Sequence, residues 1–437
     1  TFVVDTTAPS VDNFTLSDTE LKAGDNATVT LVFSEVVASF SSDDDINHPQ
    51  GELPAMISDD NIIWTGTFTP TANTEDAGNE LSLANNSYTD TAGNAGPSET
   101  TANYEVDTLA PSVSSFTLLP AALKAGDNAT VTLVFSEAVD NFTSNDDISL
   151  TNANGTLPAM ISTDNKTWTG TFTPTADTED ASNTLSLGTN YTDTAGNAGP
   201  SETTANYVID TLVPSVSSIV ISATGLQNSF LNENDLVGVI ATFSENVYVT
   251  GTPRLTLDIG GTNPAAIYMP GVVNTPLFGY IINEEENDSD GISIVANAFV
   301  LNGGTIRDAA GNNATLTHSE VPDNTSYKVD TTAPTADNFT LSNTALKSGD
   351  NATVTLVFSE PVASFSAADI SNPNGGLSAM TLDTSDNVTW TGIFTPAVDT
   401  EEASNTLSLG TNYTDLAGNA GTDNTTSNYE IDTLAPT

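Results

Sequence analysis

The string Gly-Asp-Asn-Ala-Thr-Val-Thr-Leu-Val-Phe-Ser-Glu occurs three times without a change, at 24–35, 126–137 and 349–360. A second signature, Asp-Thr-x-x-Pro, begins at Asp5, Asp107, Asp210, Asp330 and Asp432. Its prolines (Pro9, Pro111, Pro214, Pro334, Pro436) stand 102, 103, 120 and 102 residues apart. A period near 100 is too long for a solenoid unit and fits an independent domain. The chain therefore reads as four tandem modules, at 5–106, 107–209, 210–329 and 330–432. Residues 1–4 look like the tail of a preceding repeat and 433–437 like the start of another, so a longer parent array is expected.

Within a module the patterns are those of strands. In 129–135 (ATVTLVF) apolar and polar residues alternate, with many β-branched and aromatic types. The stretch 167–173 does the same. Turn formers such as GDN, STDN and DTAGN separate the runs. For the second module we expect strands near 113–118, 129–135, 141–149, 156–161, 167–173, 184–191 and 203–209. Seven short alternating strands in about 100 residues predict an immunoglobulin-like β-sandwich. The fold class expected is thus all-β, a row of four such sandwiches forming an extended rod. Trp64, Trp168 and Trp390 occupy equivalent positions and are expected in the sandwich cores.

Seven Lys+Arg against 57 Asp+Glu give a formal charge of −50. Nucleic acid and anionic membrane surfaces need a cationic face, so both are excluded as partners. The same charge predicts a monomer, and it strains the compact state in a way that salt or bound cations relieve. With no cysteine, neither disulfides nor thiolate metal sites are available. No apolar run is long enough to insert into a membrane. A secreted protein of the bacterial surface fits these constraints.

Strand order brings particular acids together. In an antiparallel sandwich the end of the second strand, the loop before the last strand and the entering linker share one end of the module. Asp107, Glu137, Asp193 and Asn197 therefore meet at the junction with the preceding module. The spacing repeats: the linker aspartate precedes the glutamate by 30 residues and the loop aspartate by 85 or 86. The corresponding sets are Asp5, Glu35, Asp90 and Asn94, and Asp330, Glu360, Asp415 and Asn419. In the third module, Asp210, Glu245, Asp308 and Asn312 show wider gaps of 35 and 98.

Crowded carboxylates repel unless a cation lies between them, and these strings hold no Lys or Arg. Oxygen donors without His or Cys point to Ca²⁺ ahead of Mg²⁺. Linker carbonyls and the asparagine amide are expected to complete the shell, with Asp164 and Asn165 as possible additional donors. Such ions would fix the hinge between neighbouring repeats, and four modules would then span about 130–180 Å. The acidic stretches 74–76, 178–180, 284–290 and 401–402 read as solvated loops at the opposite end of each module.

The D-T-x-A-P linker, F-S-E and D-x-A-G-N strings resemble the bacterial immunoglobulin-like repeats of giant surface adhesins of the RTX type, exported by type I secretion. That resemblance covers all four modules. It implies a calcium-dependent extender that holds a ligand-binding tip away from the cell for adhesion and biofilm formation.

The third module is divergent. It lacks the tryptophan and carries the acidic run 283–291 and a Pro-rich loop at 264–276. The alternative reading makes this module a glycan- or protein-binding domain. Enzymatic activity is not expected: His48 and His318 stand outside the repeated strings, and neither a phosphate loop nor a zinc motif occurs.

Overall fold

The computed structural model describes residues 3–271 and 275–435. Pro436 of the last linker and positions 272–274 lie outside the described residues; the rest of the 264–276 stretch, expected as a loop, contains the strand Ala265–Met269. The fold is all-β, 46% strand and 3% helix. Contacts divide the chain into two units, one ending at Leu212 and the other starting at Val213.

In the first unit, the second module is built on a sheet ordered Val113–Leu119, Ala129–Phe135, Thr167–Pro174, Gly155–Thr156. Alternation places Ala129, Val131, Leu133 and Phe135 inward, all buried, while the intervening threonines face out. The facing sheet runs Ala122–Lys124, Tyr207–Asp210, Glu179–Asn183. Its Ala122–Lys124 strand lies parallel to Tyr207–Asp210, an element too short to show periodicity. The first module repeats this plan, its core running from Phe14 to Val106.

Four expected elements differ: of the 156–161 strand only its start forms, as Gly155–Thr156, with an isolated bridge at Ile161. The 141–149 strand is instead a two-residue strand, Val139–Asp140, a helical turn, Ser144–Asp147, and a second short strand, Ile148–Ser149. Asp147 causes the break: its Oδ2 accepts the Thr143 amide at 2.7 Å, while Thr143 Oγ1 donates to Asp146 Oδ2 at 2.8 Å. Such local side-chain bonds offer the backbone an alternative to a ladder. Of the 184–191 strand only Ser186–Leu187 forms, and the strand before it, Glu179–Asn183, begins in the 178–180 stretch expected as a loop. Buried Asn183 turns inward and donates to the carbonyls of Asp180 and Tyr207 at 2.9 and 3.1 Å. The 203–209 strand likewise splits into Glu202–Thr203 and Tyr207–Asp210.

The tryptophans are not core-filling. Trp64, Trp168 and Trp390 are half-buried and pack against the core from its margins. Trp168 stacks edge-on against Phe142, 4.8 Å between centroids, and its Nε1 donates to the Asn165 carbonyl at 3.3 Å. The centre is held instead by tyrosines such as Tyr191 and Tyr207, with no exposed surface to speak of.

In the second unit, residues 210–329 contribute a six-stranded sheet. Its order is Val216–Thr224, Leu236–Phe243, Leu277–Ile281, Ala265–Met269, Arg254–Thr256, Phe299–Val300. Arg254–Thr256 and Phe299–Val300 join this sheet, whereas their second-module counterparts, Ile148–Ser149 and Ser186–Leu187, pair in a separate sheet. His318 is structural here: its Nε2 accepts the Ala298 amide at 2.8 Å and its ring stands edge-on to Phe299. In the first unit His48 Nδ1 is likewise bonded to the Gly51 carbonyl at 2.9 Å. The last module returns to the common plan around Val354, Leu356, Phe358 and Phe394.

Candidate metal centre

The loop Asp193–Asn197 is folded by its own side chains. Asp193, almost wholly buried, accepts the amides of Gly196 and Asn197 on Oδ1 at 2.7 and 2.8 Å. Its Oδ2 accepts Asn197 Nδ2 at 2.8 Å. The chain reverses at Gly196, where φ is +96°, a conformation that favours glycine. Asn197 Nδ2 also donates to the carbonyl of linker residue Asp107 at 2.9 Å. Thus one asparagine ties the loop to the entering linker.

The same geometry recurs. Asp90 accepts the Asn94 amide and Asn94 Nδ2, both at 2.8 Å, and Asn94 reaches the Asp5 carbonyl at 3.2 Å. Asn419 bonds Asp415 through its amide and Nδ2 at 2.9 and 2.7 Å, and the Asp330 carbonyl at 2.8 Å. Asp308 and Asn312 make the corresponding bonds at 2.8 and 2.7 Å.

The glutamates arrive by strand pairing. Two residues after Glu137, Val139 pairs with Asp193; Val37 pairs with Asp90 and Val362 with Asp415 in the same way. Three triads result: Asp5, Glu35, Asp90; Asp107, Glu137, Asp193; and Asp330, Glu360, Asp415. In each, one carboxylate oxygen per residue lies within 4.8 Å of the others. For the remaining set, Asp210 closes the last strand of the first unit, while Glu245 and Asp308 belong to the second.

Crowding is visible in the acidities. Desolvation first, then Asp193, Asp107 and Glu75, raises Glu137 above the usual carboxylate range. Desolvation also raises Asp107, against the Leu109 amide, which pulls the other way. Glu35 is raised by partial desolvation and by Asp5 and Asp90. Glu360 is pushed up to about 7 by desolvation, Asp330 and Asp415. Asp90 moves oppositely, lowered chiefly by its bond from Asn94. Each triad is an oxygen-only site whose charged form lacks a counter-charge of its own, which is what a hard cation supplies.

Several features here were not anticipated. Glu75, from the preceding module, pairs across the ladder with Asp107, and its charge acts on Asp107 and Glu137 from outside the triad. It comes from the 74–76 stretch that reads as a solvated loop. Its register equivalents are Glu179 opposite Asp210, Asn287 opposite Asp330 and Glu401 opposite Asp432. The side-chain Oδ1 of Asn197 accepts the Ala23 amide at 2.8 Å, so this residue also grips the preceding module. Lys22 brings a positive charge to the rim: its Nζ lies 2.9 Å from where a Cβ on Gly196 would stand. It shares with Asp107, Asp18, Glu20, Asp25 and Glu105 a cavity of about 490 Å³. In the second unit the neighbour's contact is neutral, with Asn228 Nδ2 donating to the Leu416 carbonyl at 2.9 Å. Asp164 is used locally, its Oδ1 accepting the amides of Lys166 and Thr167 at 3.0 and 2.8 Å.

These repeats define an array of bacterial Ig-like modules. The bacterial Ig-like domain family matches residues 5–106, 107–209 and 330–431, and the chain belongs to that family. A solved three-domain Ig fragment of titin, an E-to-A mutated variant, is similar at 8% identity and a TM-score of 0.35, over 75% of this chain and 99% of that one. That likeness is too loose to bear on fold or function. No curated protein matches the chain.

Proposed function

We propose that the chain is a calcium-rigidified extender segment of a large bacterial surface adhesin, outside the cell, that carries a binding tip away from the surface for attachment and biofilm formation. Tandem Ig-like modules are consistent with a stalk. The observation that carries the calcium reading is the recurrence of the carboxylate triad at the entry to three modules, with its oxygens within 4.8 Å. Oxygens grouped this closely suit a hard cation, and a cage built from protein carboxylates and carbonyls suits calcium, with about six to eight oxygen ligands, better than magnesium, which keeps several of its waters. Asp107, Glu137 and Asp193 would hold the ion at the second junction, with Glu75 in reach of the same charge. Because Asp107 belongs to the linker and Glu137 and Asp193 to the module that follows, an ion shared among them would remove the hinge freedom between the two.

Calorimetric titration of the chelator-stripped full chain with calcium tests this directly. We expect at least three sites per chain, and one fewer in Glu137→Gln. Absence of calcium heat at millimolar ion, or an unchanged count in that variant, would sink the reading.

A further inference from the structure

The outer face of the six-stranded sheet in 210–329 differs from its counterparts in one respect. In the other modules, three threonines pair side by side across it: Thr15, Thr30 and Thr65; Thr117, Thr132 and Thr169; Thr340, Thr355 and Thr391. The same row in the third module is Val220, Ile240 and Leu277, extended by Met269. Ile267 and Ile281 flank it. These side chains are not buried: Val220 is 54% exposed, Ile281 56%, Ile267 46%, Met269 40% and Ile240 36%.

Acidic residues are absent from this sheet, as they are from its counterpart in the second module, so the apolar row is what sets it apart. The chain has 57 acidic residues, yet none lies in any of the six strands, which carry one charge in all, Arg254. Arg254 pairs with Ile267 and Val300 at the margin of the face. Gly238 and Gly279 keep the middle of the floor low, and the flexible thioether of Met269 leans across Gly279. Methionine repacks readily against an incoming surface. Contiguous exposed apolar surface on an otherwise polar protein marks an interaction site.

We infer that this face pairs with the same face of a second copy of the chain, sheet against sheet. Two copies of a chain of charge −50 repel wherever carboxylates meet, and this sheet is a place where none do. Sheets stack face to face about 10 Å apart. Four strands at about 4.8 Å spacing and five residues at about 3.4 Å give roughly 300 Å² in plane. With side-chain relief, two copies would bury roughly 1,000 Å², at the lower edge of specific interfaces. A weak dimer follows, and it departs from the monomer that net charge alone predicts. Its consequence would be lateral pairing of neighbouring stalks at the third module.

Sedimentation of the full chain in millimolar calcium, at 0.15 M and 1 M NaCl, tests this. Native chain is expected to dimerise with Kd of about 1–100 μM, more tightly at high salt as repulsion is screened. The variant Val220→Thr, Ile240→Thr, Leu277→Thr restores the residues of the other modules, and we expect it to weaken dimerisation at least about tenfold with unchanged circular dichroism. Should it fail to fold, Ile240→Thr alone gives the same reading with a smaller shift. A chain that stays monomeric at 0.5 mM in 1 M salt, or a folded variant that dimerises as tightly as native, overturns the inference. A monomeric chain that instead pellets with phosphatidylcholine vesicles overturns it too, and assigns the face to lipid.

Discussion

Asn197 makes more of the junction than its composition suggests. Its amide donates to Asp107 and Asp193 and accepts from Ala23, so a single buried side chain connects linker, loop and preceding module. Asn197→Ala removes all three bonds and leaves the Asp193 carboxylate and the Ala23 amide short of partners. A loss of about 2–4 kcal/mol is expected, since an unsatisfied buried group costs about 1–3. Denaturant unfolding checks the magnitude. Faster hydrogen exchange at the Ala23 amide checks the mechanism, and it should be seen in chelator as well as in calcium. Glu360 gives a pH test. Its pKa is raised from 4.5 to about 7, so in the metal-free protein its contribution to stability is complete below about 4.5 and is lost as pH rises through about 7. The melting temperature of chelated protein should therefore fall across that window, and Glu360→Gln should flatten the fall. Calcium requires the ionised form, so its affinity should rise over the same window. A melting temperature independent of pH in chelator would contradict the crowding.

At the level of elements, what could be read in advance depended on how much of each segment is periodic. Ala129–Phe135 is fully legible because seven alternating residues admit one orientation. The 141–149 segment was not, because Asp147 sits where a strand residue would and captures the Thr143 amide instead. Asp147→Ala should therefore loosen the Ser144–Asp147 turn and cost about 1–3 kcal/mol, read by urea unfolding. The triads were legible for a related reason: fixed spacing and a simple up-and-down strand order suffice to put Asp107, Glu137 and Asp193 at one end. Glu75 was hidden because its place depends on a ladder whose register shifts between Tyr104 and Val106. No string marks a register shift. Lys22 was hidden because it comes from the neighbouring module, and the threonine row of the sheet face because it emerges only when strands are laid side by side.

For the whole molecule the decisive quantity is the charge of −50, since it lets two kinds of cation effect be separated. Sodium screens the long-range repulsion of carboxylates spread along the chain, whereas an ion held by three carboxylates acts only where it binds. Both should raise the melting temperature of chelated protein. A calcium site filled at about 100 times its dissociation constant adds about 2.7 kcal/mol, or roughly 10 °C for a module of this size. Reach should respond differently. In small-angle scattering, chelation is expected to shorten the largest dimension as linkers regain freedom, and calcium to restore it at millimolar concentration. One molar sodium chloride should recover part of the melting temperature and little of the length, because screening cannot fix an angle. Magnesium should fall between the two, as it keeps several of its waters and takes up an all-protein carboxylate cage poorly. If sodium chloride alone recovered both quantities, the triads would be ordinary acidic surface, and stiffness would have to come from direct contacts such as the one between Ala23 and Asn197.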